Sequence, residues 1–244
     1  MKNIRSMDMK RIGILAGILG MLNPIIVFGI VNFDLAKGFS NPEVILDILV
    51  RPFWRYLGMP LFFITDILGW YLLPPLLLIL MIWRLAPRHK GLLILLAILY
   101  GAVGSYGALY YAKSYLQFLE NGNGTALLEA SFLAYRHIWG TLNNVWGGVL
   151  FLNIGFLLFR HQKRWLGGIS GATGTLMLMA AISYLLGVNG LGDRVFVPGY
   201  LVLFPIAIFG FGRMLHKTNS AISEKEAVGI AAMMALREHL EEQE

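Results

Sequence analysis

Cysteine is absent from the 244 residues, and charge is scarce, with Asp, Glu, Lys and Arg making up only 14% of the chain. The first absence excludes disulfides, thiolate metal centres, iron–sulfur clusters and dithiol redox chemistry. The second excludes an ordinary soluble domain, in which about 25% of residues are charged. In their place stand long apolar runs, each near the roughly 20 residues that an α-helix needs to cross a bilayer. The net charge of +6 could suggest nucleic acid, but the Lys and Arg lie in short loops between the apolar runs. There they read as topology signals and as contacts to lipid headgroups. Membrane lipids are therefore the expected partners, and nucleic acid is not.

The pattern predicts an all-α, polytopic integral membrane protein with six transmembrane helices, at about 12–33, 60–83, 91–115, 131–159, 165–187 and 195–215. Residues 1–219 form this domain and 220–244 a tail. Gly13, Gly17 and Gly20 give the first span a small-residue face, and Asn23-Pro24 interrupts it, Asn23 reading as the partner of a carbonyl freed at the kink. Between the first two spans, Ser40-Asn41-Pro42 starts a helix over about 42–56. Glu43, Asp47, Arg51 and Arg55 recur along it every fourth residue, as on an interfacial helix. Pro74-Pro75 is expected to break the middle of the second span, and Gly167, Gly171 and Gly174 keep the fifth narrow enough to lie against the fourth. In the tail, Ser223 and Glu226 form a capping box ahead of a short amphipathic helix.

Charge sets the orientation. Lys2, Arg5, Lys10, Arg11, Arg84, Arg88, Lys90, Arg160, Lys163, Arg164, Arg213 and Lys217 fall on one side, roughly a dozen against about six on the other. Both termini are thus expected in the cytoplasm, with the 42–56 helix on the extracytoplasmic face.

The fourth span carries Arg136, His137, Asn143 and Asn144 within its apolar length. An Arg in mid-span costs roughly 2.5–3.5 kcal/mol on insertion scales, so it needs a partner or a watery cavity. Asp66 in the second span and Arg136-His137 in the fourth both lie about two turns in from the outer face. The expected site is therefore an outward polar cluster of Asp66, Arg136 and His137, with Tyr106 and Tyr110 beside it and Asn143 and Asn144 beneath. An Asp66–Arg136 ion pair that merely holds two helices together explains the same residues.

No catalytic set accompanies the cluster. Ser105, His137 and Asp66 lack a nucleophile elbow, and His89, His161 and His216 are flanked by Arg and Lys that repel a cation. His137 is the only histidine inside a span, which argues against haem. No metal and no cofactor are expected. Prolines interrupt helices in both halves, but at positions that do not correspond, so an inverted repeat is not indicated.

From about Thr125 to Asn219 the chain resembles a bacterial family of multi-span membrane proteins catalogued as domain of unknown function 4386. The features are a fourth span ending in FLLFR, the basic turn HQKRWLGGISG, and the closing LVLFPIAIFGFGRML; Lys163-Arg164 stands where members have a proline. The resemblance implies six spans with no assigned activity and transfers no binding or catalytic residue; the expected location is the bacterial inner membrane. The leading expectation is a non-enzymatic protein that binds a small amphiphile or lipid in the outward cluster, as a sensing or accessory subunit. Such a subunit would work beside a membrane-protein partner or a second copy of itself. A transporter or channel subunit is the alternative, and a membrane-embedded enzyme using His137 and Asp66 ranks last.

Overall fold

The computed structural model describes residues 9–26, 52–85, 90–121 and 125–216, and every regular element among them is helical. Five helices are long and apolar enough to cross a membrane: α2 (Arg55–Trp83), α3 (Lys90–Asn121), α4 (Ala126–Arg160), α5 (Arg164–Leu185) and α6 (Gly192–His216). They are preceded by the shorter α1 (Met9–Ile25). The remainder of the expected first span, most of the 42–56 helix and the 220–244 tail lie outside the described residues. The part of that interfacial stretch that is described, from 52 onward, continues helically into α2.

Large apolar side chains cover the outside of the bundle, among them Leu92, Leu95, Ile98, Phe156, Ile182 and Leu185. A surface of this kind suits lipid rather than water. Lys90 lies 4.5 Å above the Trp83 ring, and the His161 ring nitrogen meets the Leu85 carbonyl at 3.3 Å. These contacts gather the ends of α2 and α4 and the starts of α3 and α5 into one basic end.

Apolar helices in lipid gain little from hiding from one another, so close backbone approach must supply the attraction. Between α4 and α5 a methyl added at Gly155 would stand 2.8 Å from the Gly171 nitrogen, and one at Gly174 would stand 2.7 Å from the Gly148 carbonyl oxygen. The expected narrow fifth helix is thus what lets the pair meet. Helix α1 wedges between α2 and α6 by the same means. A methyl at Gly69 would stand 2.6 Å from the Gly20 nitrogen, and one at Gly13 would stand 2.5 Å from Gly212 Cα. The Trp70 indole then donates to the Gly20 carbonyl at 3.2 Å.

The prolines do not break α2, contrary to the expectation from Pro74-Pro75. The backbone widens to a π-helical turn over Ile67–Leu72, in which the Leu73 N–H donates to the Leu68 carbonyl, five residues back. A proline lacks its N–H and crowds the carbonyl four residues earlier, and one extra residue in the turn relieves both faults. The same device occurs over Trp54–Gly58 ahead of Pro60 and over Gly192–Phe196 ahead of Pro198. A fourth widened turn, Ile138–Asn143, has no proline behind it and interrupts α4 at Gly140.

Candidate functional site

Asp66 is the last residue before the widened turn of α2, and it is 3% exposed. Counting 1.5 Å per residue from Trp83, it stands roughly 25 Å from the basic end, well toward the opposite end. The Tyr135 hydroxyl donates to Asp66 Oδ2 at 2.6 Å. The amide of Asn23 reaches Asp66 Oδ1, Thr65 Oγ1 and the Phe62 carbonyl, each at 3.5 Å. Asn23 therefore crosses to α2 and corrects the expectation that it serves its own helix at the Pro24 kink. Thr65 turns its own hydroxyl back to the Leu61 carbonyl at 2.8 Å, as buried hydroxyls on helices do.

Aromatic rings close around this carboxylate. Tyr111 stacks on Tyr135 with centroids 5.5 Å apart, and Phe63 meets the edge of Tyr111 at 5.3 Å. Nearer the basic end, Tyr71 and Tyr100 meet edge to face at 5.9 Å, and Trp70 stacks on Phe204 at 4.0 Å with Tyr200 at its edge. Glycines make room for them. A methyl at Gly104 would fall 2.1 Å from Tyr71 Cδ1, and one at Gly147 would fall 2.9 Å from Tyr100 Cε2. Tyr71, Tyr100, Tyr135 and Tyr200 all lie close enough to Asp66 to interact with it electrostatically.

The polar groups here are incompletely satisfied. The hydroxyls of Tyr71 and Tyr100 and Oδ1 of Asn143 are buried without a hydrogen bond of ordinary geometry, Tyr71 facing Tyr135 all the same. Most buried polar atoms in folded proteins are paired, so such atoms call for an explanation. Asn144 donates to the Gly140 carbonyl at 3.1 Å and also interacts with Tyr200. A second acid, Asp193, is 1% exposed at the start of α6 and accepts the Tyr184 hydroxyl at 2.5 Å. Toward the basic end the interior becomes apolar, with Leu77, Leu78, Met81, Phe151, Ile154 and Phe211 fully buried between the helices. Ser170 and Thr173 of α5 are the polar residues buried at that depth.

Of the expected cluster, Asp66, Asn143 and Asn144 are inside the bundle. Tyr106 and Tyr110 are not. They lie 64% and 40% exposed, stacked on each other on the outer face of α3. The small-residue positions Gly101, Gly104 and Ala108 fix the inward side of that helix, and Tyr100, Tyr111 and Tyr115 share it. Tyr106 and Tyr110 are near half a turn away at 100° per residue and lie toward the end remote from Lys90, where amphipathic rings suit a membrane interface. The backbone of Arg136 and His137 continues directly from Tyr135 at the end of Thr125–His137, and their side chains lie outside the described residues.

Tyr71, Tyr100, Tyr135, Tyr200, Asn23 and Asp193 belong to the interior and were not expected there. For α3 the signal was present in the glycine phase just described. For α4 it was hidden, because the turn over Ile138–Asn143 adds one residue and shifts the helical phase in which Tyr135 comes to face inward.

No protein-family model, no curated protein and no solved structure matches this chain.

Proposed function

We propose that the chain is a non-enzymatic, six-span inner-membrane protein that binds a small amphiphile or lipid at the Asp66 cluster from the extracytoplasmic side. It would serve there as a sensing or accessory subunit. One observation carries the reading: a buried carboxylate lies toward one end of the bundle with the unpaired hydroxyls of Tyr71 and Tyr100 near it, above a largely apolar floor. Intramembrane ionisable residues mark functional sites by default, and concave sites between helices of a bundle are where small ligands bind. Asp66 is closed off at 3% exposure, so a ligand gains access only when the rings over it swing aside. The widened turns in α2, α4 and α6 supply the backbone slack for that movement. Kinship with the unknown-function family named above belongs to the same proposal and rests on the FLLFR ending and the basic turn after it.

Lipid extraction with mass spectrometry tests the proposal on the full chain purified in nanodiscs. Wild type is expected to retain one amphiphile above the annular lipid background, and Asp66→Asn and Tyr135→Phe are expected to lose it. Identical extracts from all three would refute it. A transporter subunit is the second reading, favoured by the widened turns within α2 and α4. It additionally requires the apolar floor to open, which a proteoliposome flux assay would register.

A further inference from the structure

Resting on that reading, we infer that the headgroup taken at the Asp66 cluster is cationic, an alkylammonium or quaternary ammonium rather than a neutral or anionic group. Among the described residues the buried charged side chains are Asp66 and Asp193, and both are acids. The spare capacity points the same way. Asp66 Oδ1 has the amide of Asn23 at the long distance of 3.5 Å, and Asn143 Oδ1, an acceptor, has no hydrogen bond. Tyr71 and Tyr100 offer their hydroxyl lone pairs near Asp66.

The walls are aromatic. Tyr71, Tyr100, Trp70 and Tyr135 surround the region with ring separations of 4.0–6.1 Å to their neighbours. A ring face carries negative quadrupole, so it attracts a cation and repels an anion, most strongly where water is excluded. A carboxylate next to such rings adds the long-range part of the attraction, and the rings add the preference for a soft, poorly hydrated cation. An ammonium N–H would also complete the acceptors of Asp66. A quaternary head would use the rings and the carboxylate alone.

The test uses the full chain in nanodiscs of neutral lipid and three probes of one chain length: decyltrimethylammonium, decanol and decyl sulfate. Binding is followed by intrinsic tryptophan fluorescence, to which Trp70 contributes from the site, and by the shift in thermal unfolding. Decyltrimethylammonium is expected to bind about tenfold or more tightly than either competitor. Asp66→Asn should remove most of that preference while leaving weaker binding of all three, and Asp66→Glu should restore it. Asp66→Glu also keeps the test decisive should Asp66→Asn elute as misfolded protein on size-exclusion chromatography. Equal binding of the three probes by wild type, or a preference untouched in Asp66→Asn, overturns the inference while leaving the amphiphile site standing. Failure of all three probes to bind overturns both.

Discussion

Removing the Tyr135 hydroxyl is the most direct probe of the interior. In Tyr135→Phe the ring that stacks on Tyr111 stays in place, and the main loss is the 2.6 Å donation to Asp66, together with the hydroxyl that Tyr71 faces. Hydrogen bonds to a charged group contribute roughly 1.5–3 kcal/mol in water-soluble proteins. Inside membranes, measured polar couplings average nearer 0.6 kcal/mol and reach about 1.7, because the unfolded chain in lipid finds other partners. The short distance and the 3% exposure of Asp66 place this bond at the upper end of that range, so a loss of about 1–2 kcal/mol is expected. For a chain of this size that corresponds to roughly 3–6 °C in midpoint. Thermal unfolding in detergent, read by tryptophan fluorescence, measures it. Tyr106→Phe and Tyr110→Phe, on the outer face, are the matched controls and should leave the midpoint unchanged. A double-mutant cycle with Asp66→Ala should show coupling of about 1 kcal/mol, since each change removes the same bond. Tyr135→Phe as silent as Tyr106→Phe, or a cycle that sums to zero, would refute the claim that this pair organises the site.

The other expectations concern packing. Gly104→Ala places a methyl 2.1 Å from the Tyr71 ring and should cost about 1–3 kcal/mol, whereas Gly91→Ala, with open space around it, should be neutral or mildly stabilising in the same melt. Gly155→Ala should weaken the α4–α5 pair because the methyl meets the Gly171 backbone at 2.8 Å, yet Gly171→Ala should be tolerated because its own methyl meets nothing; equal effects would show that the contact geometry is wrong. Trp70→Phe keeps the stacking on Phe204 but abandons the bond to the Gly20 carbonyl, so α1 should become more susceptible to limited proteolysis while stability falls by about 1 kcal/mol. Tyr184→Phe removes the 2.5 Å donor to Asp193 at the start of α6 and should cost a similar amount of stability.

The amino-acid sequence determined the helical class of the described residues and the five helices from Arg55 onward that are long and apolar enough to cross a membrane, because apolar length and sparse charge are properties of the chain alone. It also determined that Asp66, Asn143 and Asn144 would be interior, since a polar side chain within an apolar span has nowhere else to go. Which aromatic residues join them was settled by tertiary structure. Tyr100 and Tyr111 face inward while Tyr106 and Tyr110 face outward because Gly101 and Gly104 must sit against Tyr71 and Pro75, a contact that exists only once α2 and α3 are packed. Tyr135 becomes the donor to Asp66 because α4 takes one extra residue into its turn at Gly140, against the ring of Tyr184. Helical phase is local and can be counted along the chain, but a π turn resets it wherever packing makes the wider turn cheaper, and that balance is decided by neighbours far away in sequence.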